Sequence, residues 1–140
     1  MIECEIVIET SIKPFRVEDG IVGIAFCTKG AEPKTLFGKV KDCSENKAAL
    51  LGLKNALGYC SHFEIINLQT TNGYLASGLK NLPSWKANGF ITKKGARIKH
   101  QEIWQDIDEI IKGKEMRIHL NEFNEVRKWL SAECRRRATR

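Results

Sequence analysis

Apolar and polar side chains alternate along the start of the chain. Over residues 2–9 the even positions are Ile or Cys, and the odd positions are glutamates apart from one valine. A period of two residues predicts a β-strand with one face turned to a core. Residues 20–28 are rich in β-branched side chains, and residues 34–41 alternate again. Glycines and prolines separate the three segments, so we expect an antiparallel meander.

After the predicted meander, the apolar residues recur at helical spacing. Ser44 is a suitable N-cap, and Gly58 can end the helix that begins there. The apolar face of this helix is formed by Leu50, Leu53 and Leu57. Residues 64–69 then predict a fourth strand, which a helical crossover places parallel to the first.

The second half of the chain predicts three more helices and one strand. Asn72 can cap a helix that continues to about Leu82, where we expect Pro83 to stop it. Residues 84–100 are basic, contain glycines and lack a period, which indicates an irregular segment. The elements after it are a helix from Ile103 to Gly113, a strand over residues 115–120 and a last helix striped by Val126, Leu130 and Cys134. This order of elements, without a repeat or linker, predicts one α/β domain over residues 1–140.

Composition narrows the class of protein. The 140 residues are 42% hydrophobic and 29% charged, a balance typical of globular domains. No apolar run approaches the roughly 20 residues that a membrane helix needs, and the start of the chain lacks the basic segment of a secretory signal. We therefore expect a cytoplasmic protein without a membrane partner. The five cysteines form no Cys-x-x-Cys pair, which argues against a disulfide framework and a thiolate zinc site.

The positive charge is concentrated in the second half of the chain. The net charge is +6, and residues 1–84 contribute none of it because their basic and acidic residues balance. Residues 85–101 hold five basic residues and no acid, and the tail carries Arg135, Arg136, Arg137 and Arg140. A one-sided positive field attracts polyanions, so nucleic acid is an expected partner. The alternative interpretation is a solvated basic face that serves solubility.

Three strings of sequence resemble the ribonuclease H family. Residues 35–50 resemble the family's third strand and first helix, and residues 70–74 resemble the exit of its fourth strand. Residues 85–108 resemble the basic protrusion and following helix of the cellular type of the family. The resemblance implies an α/β, ribonuclease-H-like fold. Its five-stranded mixed sheet has three antiparallel strands followed by parallel strands, and helices flank the sheet.

The resemblance also implies a catalytic site of which this chain keeps little. Ribonucleases H hold two divalent metal ions with four carboxylates, on the first strand, in the first helix, after the fourth strand and in the last helix. The matching positions here are Glu9, Ala49, Thr71 and Lys128. Only Glu9 is acidic, and a lysine repels metal cations. We therefore predict a catalytically inactive domain that binds RNA/DNA hybrid or duplex without a metal cofactor.

The sequence leaves two other functions open. Glu45 lies four residues before Ala49 on the same helical face, and Glu125 lies one turn before Lys128. Together with Glu9 they are candidates for a displaced acidic site, which would bind Mg²⁺ or Mn²⁺ and cleave the RNA of a hybrid. The other alternative is a protein-interaction scaffold, because folds are reused after their chemistry is lost.

The resemblance assigns nucleic-acid contacts to two parts of the chain. At the first helix, Ser44 matches a phosphate-binding hydroxyl, and Asn46 matches an asparagine directed at the RNA minor groove. The candidates in the basic segment are Trp85, Lys86, Lys93, Lys94, Arg97 and Lys99. For Trp85 the alternative is packing in the core. Two departures weaken the expected grip on phosphate, because Asp42 replaces an arginine and residues 11–16 replace a glycine-rich loop.

Overall fold

Five strands form one mixed sheet in the computed structural model, which describes residues 2–28 and 30–139. The strands are β1 (Glu3–Thr10), β2 (Val17–Thr28), β3 (Lys34–Ser44), β4 (Ile65–Thr70) and β5 (Glu115–Leu120). Their order across the sheet is β3-β2-β1-β4-β5. The first three strands pair antiparallel, and β4 pairs parallel with both β1 and β5. The predicted architecture is confirmed.

Helices cover both faces of the sheet. They are α1 (Glu45–Tyr59), α2 (Gly73–Ala87), α3 (Gln101–Ile110) and α4 (Glu125–Ala138). Helix α1 packs on one face with α2 and α3 beside it, whereas α4 packs against β1 and β2 from the other face. No helix in the described part of the chain combines the length and the apolar character that crossing a bilayer requires.

The alternation in β1 decides which layer each side chain meets. Cys4, Ile6 and Ile8 are buried in the larger core cluster, which includes the apolar face of α1. Val7 faces the opposite way and is buried against Leu130 of α4. Burying an aliphatic side chain of this size contributes about 1.5–3 kcal/mol. A slip of one residue would exchange the two faces, so this burial fixes the register of β1.

Gly23 allows α4 to approach the sheet beside the end of β1. It lies opposite Glu9 in the ladder between β1 and β2. A Cβ atom at Gly23 would come within 2.7 Å of Cys134 Sγ and 3.0 Å of Leu130 Cδ1. Any larger residue would therefore push α4 away from the sheet. This close approach brings the side chains of α4 next to Glu9.

The prediction that Pro83 stops the second helix is wrong, because α2 continues to Ala87 with the proline inside it. Pro83 lies on the exposed side of the helix, so its ring takes no space in the core. Leu82 and Trp85 pack against the core on either side of it. Their burial offsets the penalty of about 3 kcal/mol for proline inside a helix.

Pairing beyond the predicted ends lengthens two strands. Strand β2 begins at Val17 and β3 continues to Ser44, because these two residues pair past an irregularity between Glu18 and Gly20. The predicted bounds of β5 agree with the structure. The extra length brings the start of α1, which follows β3 directly, to the end of the sheet where β1 stops.

Candidate functional site

A cleft of about 600 Å³ opens at the edge of the sheet where β1 and β4 end. The two strands are parallel neighbours, so their carboxyl ends meet at this edge. The start of α1 and the last turns of α4 complete its walls. The side chains that line it include Glu9, Ser11, Glu45, Ala49, Thr71, Asn72, Ser131 and Arg135. The cleft gathers three of the four positions that the family resemblance assigns to metal-binding carboxylates.

An ion pair beside this cleft joins β1 to α4. Arg127 Nη1 donates to Glu9 Oε1 at 3.4 Å. Only 11% of the Glu9 side chain and 18% of the Arg127 side chain are exposed to solvent. Burial raises the pKa of Glu9 above its ordinary value, and the Arg127 guanidinium opposes that rise. The one acid that remains at the family positions thus has a cation of the protein itself as its partner.

The α4 cation that meets Glu9 is Arg127 and not Lys128. Lys128 is exposed, and its Nζ lies 4.9 Å from the centre of the Phe123 ring. One step along a helix turns a side chain by about 100°, so the two neighbours point in different directions. Lys128, which the resemblance matches to an acid of the family, therefore does not line the cleft. The α4 cation that meets Glu9 is its neighbour Arg127.

Sequence reasoning missed a second face of α4. Arg127, Ser131 and Arg135 recur every four residues and therefore share one side of the helix. Ser131 and Arg135 line the cleft, and Arg135 Nη1 donates to Ser131 Oγ at 2.9 Å. The available signal was this four-residue spacing, which runs beside the buried stripe of Leu130 and Cys134.

The three glutamates of the displaced-site alternative do not all reach the cleft. Glu9 and Glu45 line it, and burial raises the pKa of both carboxyl groups. Glu125 is exposed in the first turn of α4 and is not part of the lining. Within residues 2–28 and 30–139, no three His, Cys, Asp or Glu side chains are grouped so that they can hold a metal ion. Glu18 and Asp19 also line the cleft, but they accept hydrogen bonds from the backbone N–H groups of Lys13 and Asp42. With Glu9 paired to Arg127, this set of acids does not fit a two-metal centre.

A hydrogen-bonded turn presents the cations of the basic segment. The Thr92 N–H donates to the Ala96 carbonyl at 2.7 Å, and the Ala96 N–H donates to Thr92 Oγ1 at 3.1 Å. Phe90 is buried at the base of the turn. The exposed cations of this basic turn (residues 92–99) are Lys93, Lys94, Arg97 and Lys99. In the described part of the chain, none of the four forms an ion pair with a carboxylate.

Two other candidates of the basic segment are engaged within the fold. Trp85 is half-buried, and its ring meets Trp104 edge-on with 5.5 Å between the ring centroids. Trp104 Nε1 donates in turn to the Tyr74 hydroxyl at 2.9 Å. Lys86 pairs with Asp108, with Nζ and Oδ2 3.3 Å apart. Trp85 therefore supports the core, and the charge of Lys86 is partly neutralised.

The arginine tail is partly neutralised by a carboxylate of the same helix. Arg136 Nε lies 2.6 Å from Glu133 Oε2, and Arg137 Nε lies 3.7 Å from Glu133 Oε1. Arg140 lies outside the described residues. Of the tail cations that the structure describes, Arg135 is the one whose side chain lines the cleft.

The sequence is similar to curated ribonucleases H. Ribonuclease H of Francisella tularensis subsp. novicida is 30% identical over 78 residues, which are 55% of this chain and 51% of that protein. Ribonuclease H of Cupriavidus necator is 25% identical over 96 residues, which are 68% of this chain and 66% of that protein. The chain thus spans about half the length of the Francisella protein that it matches. No family model matches the chain.

Solved ribonuclease H structures share the fold over nearly the whole chain. A type 1 RNase H with the type 2 active-site motif has a TM-score of 0.71 and 16% identity, over 99% of this chain and 71% of that one. RNase H1 of Halobacterium salinarum has a TM-score of 0.65 and 12% identity, over 94% and 93%. The chain has the ribonuclease-H-like fold, and its sequence is similar to that of ribonucleases H. A foamy viral protease-reverse transcriptase, solved with double-stranded DNA, has a TM-score of 0.75 and 17% identity, over 99% and 91%.

Two residues matched to the ribonuclease H family at the start of α1 are held by hydrogen bonds within the fold. Ser44 Oγ accepts from the Lys47 N–H at 3.1 Å, which confirms Ser44 as the N-cap. Asn46 Oδ1 accepts from Asn72 Nδ2 at 3.1 Å. Asn72 also caps α2 by accepting from the Leu75 N–H, so this pair ties the starts of two helices together at the rim of the cleft. Contacts of Ser44 and Asn46 with nucleic acid stay a prediction.

Proposed function

We propose that this ribonuclease-H-like domain binds nucleic acid, as RNA/DNA hybrid or duplex, and does not cleave it by the two-metal reaction of ribonucleases H. The observation that carries the proposal is the ion pair between Glu9 and Arg127 beside the cleft. The one acid at the family positions is engaged by a protein cation, whereas catalysis requires that acid to hold metal ions.

The charges around the cleft support the loss of metal binding. A guanidinium 3.4 Å from the carboxylate opposes a second cation there, because like charges repel strongly where water is largely excluded. Ala49 and Thr71, at two other family positions, line the cleft without a charge. Two metal ions about 4 Å apart need several carboxylate oxygens that converge from different elements. This set of donors favours a cleft that contacts nucleic acid without activating water.

The basic turn supports the binding half of the proposal. Its four cations are exposed and stand on a hydrogen-bonded turn, so the backbone that carries them is already ordered before they meet phosphates. A foamy viral protease-reverse transcriptase and LC11-RNase H1, which share this fold, were solved in complex with RNA/DNA hybrid. We infer the same class of partner here. Lysine and arginine contacts to phosphate give affinity without sequence preference.

A salt titration tests the binding proposal. Fluorescence anisotropy of a labelled RNA/DNA hybrid gives the affinity of the wild type, of a Lys93→Ala, Lys94→Ala double variant and of Lys112→Ala. The last is a matched control, because Lys112 is exposed and already paired with Glu109. We expect the double variant to bind more weakly and to lower the slope of log affinity against log salt by about two, while the control keeps the wild-type slope.

The binding proposal has a clear negative outcome. Affinity that does not depend on salt contradicts it, and so does the absence of binding to hybrid, duplex and single strand. If the domain instead retains a protein partner at high salt, that result supports the scaffold alternative.

A second candidate function is cleavage of RNA in hybrids by a rearranged site. The observation in its favour is that Glu9 and Glu45 share the cleft and that burial raises the pKa of both. Perturbed carboxyl groups in a cleft are candidates for catalytic or metal-binding roles. This alternative requires cleavage with Mg²⁺ or Mn²⁺ that both Glu9→Gln and Glu45→Gln abolish.

A further inference from the structure

The loop between β1 and β2 carries an aromatic ring that nothing in the described part of the chain covers. Phe15 is completely exposed, at 107% of its reference area. Its φ of 64° lies in the left-handed region. The Arg16 N–H donates to the Lys13 carbonyl at 3.3 Å, which closes a turn with Pro14 second and Phe15 third. Proline followed by a residue of positive φ is the pattern of a type II turn.

Hydrogen bonds hold this loop in place. The Ser11 N–H donates to the Ile21 carbonyl, and Ser11 Oγ accepts from the Ile21 N–H, both at 2.9 Å. Ile12 is buried, and its side chain occupies the space that a Cβ atom on Gly20 would take, 2.7 Å from Ile12 Cγ1. The Lys13 N–H donates to Glu18 Oε1 at 3.1 Å. These contacts therefore hold the loop in a conformation that keeps Phe15 exposed.

Phenylalanine is a poor residue for this position in the folded chain. The third position of such a turn favours Gly or Asn, because the Cβ atom of most other residues is crowded by the backbone at positive φ. A fully exposed ring also gains nothing from burial in this chain. Backbone strain that no contact within the chain offsets is concentrated at functional sites, so we infer that the Phe15 ring contacts a binding partner.

The loop borders the cleft, and the basic turn contacts the helix that begins at the rim of the cleft. Lys13 and Pro14 line the cleft beside the end of β1. Asn72 lines it at the start of α2, and the hydroxyl of Tyr74, two residues further on, donates to the carbonyl of Lys99 in the basic turn at 3.4 Å. A nucleic acid that contacts both the basic turn and the cleft therefore comes close to the loop that carries Phe15.

We propose that Phe15 stacks on an unpaired base of a nucleic acid bound across the cleft, while Lys13 and Arg16 contact the phosphates on either side of that base. The proposal rests on the nucleic-acid binding proposed above and names the part of the ligand that this loop recognises. Aromatic stacking tolerates any base, because every base has a π face. Bases within a duplex have both faces covered by their neighbours, so a ring on a protruding tip favours a single-stranded extension or a junction.

The test compares two ligands and three proteins. The ligands are a blunt RNA/DNA hybrid and the same hybrid with a single-stranded extension. The proteins are the wild type, Phe15→Asn and Phe15→Trp. We expect the wild type to prefer the extended hybrid, Phe15→Asn to lose about tenfold in affinity for it, and Phe15→Trp to keep the preference. Affinity of Phe15→Asn for the blunt hybrid should equal that of the wild type.

Thermal unfolding separates recognition from folding. Asn suits the left-handed position, so Phe15→Asn should unfold at the same temperature as the wild type or above it. If the wild type binds, the Lys93→Ala, Lys94→Ala variant binds less, and Phe15→Asn matches the wild type on both ligands, the stacking proposal is overturned and the proposed function stands. If the wild type binds neither ligand at low salt, both are overturned.

Discussion

Glu9 and Arg127 connect the end of β1 to the first turns of α4 through a contact of 3.4 Å between Oε1 and Nη1. The contact depends on the close packing of α4, since Cys134 Sγ lies 3.7 Å from the Glu9 carbonyl oxygen and Gly23 leaves room for both. The same arrangement accounts for the stability of this corner of the fold and for the charge that its cleft presents.

Breaking the pair on one side should destabilise the domain. Arg127→Met leaves the buried Glu9 carboxylate without its partner, and we expect a loss of about 1–3 kcal/mol in the free energy of unfolding. Adding Glu9→Gln should recover part of that loss, because the uncompensated charge is then gone. Denaturant unfolding measures both, with Glu125→Gln as the exposed control within about 0.5 kcal/mol of wild type. Additive losses from the two substitutions would show that the pair contributes nothing.

The raised pKa of Glu45 predicts a pH dependence of stability. Burial raises this pKa above its ordinary 4.5, so the folded state binds the proton more tightly than the unfolded state. The contribution of Glu45 is fully present below the unfolded pKa and is lost as the pH rises through the folded one. We therefore expect the stability of wild type relative to Glu45→Gln to fall between pH 4.5 and the higher folded value. Parallel curves for the two proteins in urea unfolding would refute this effect.

The space at Gly23 predicts a steric effect on α4. Gly23→Ala brings a methyl group within 2.7 Å of Cys134 Sγ, so α4 must move outward. We expect a loss of about 1–3 kcal/mol from this overpacking. Gly38→Ala, in the adjacent strand β3, is the matched control because nothing lies within 4 Å of its Cβ position. Equal unfolding midpoints for the two variants would contradict the assigned role of Gly23.

Returning acids to the cleft should create the metal affinity that we propose the wild type lacks. We expect Mn²⁺ to raise the unfolding temperature of an Ala49→Glu, Thr71→Asp, Arg127→Asp variant, because a ligand that binds only the folded state stabilises it by about 2.7 kcal/mol at a hundredfold excess over Kd. The control carries Gln, Asn and Asn at the same positions, which keep the side-chain size without the charge. Equal stabilisation of the wild type by Mn²⁺ would show that its own cleft already binds the metal.

The sheet could be predicted from the sequence because its signals are local and agree with one another. The alternation in β1 and the cap at Ser44 each depend on a few neighbouring residues, and the structure confirms both. The continuation of helix α2 through Pro83 could not be predicted in this way, since it depends on how Leu82 and Trp85 fit a core built from distant segments. Local signals suffice for an element but not for its end when packing decides the end.

The cleft was harder to predict than the fold. The absence of acids at positions 49 and 71 can be found by matching short stretches of sequence. Whether Arg127 or Lys128 meets Glu9 depends on the rotation of α4 about its axis. That rotation is set by the packing of Leu130 and Cys134 on Gly23, which lies more than a hundred residues before Arg127 in the sequence. The exposure of Phe15 likewise depends on the bracing of its loop by residues of β2.

Simultaneous measurement of binding and cleavage tests the central claim most directly. An RNA/DNA hybrid labelled on its RNA strand is incubated with saturating wild-type protein and Mg²⁺ or Mn²⁺, with anisotropy reporting binding and a denaturing gel reporting cleavage. We predict a bound hybrid whose RNA stays intact, at the same level as with Glu9→Gln. Cleavage by the wild type that Glu9→Gln abolishes would contradict the account and establish this cleft as an active nuclease site.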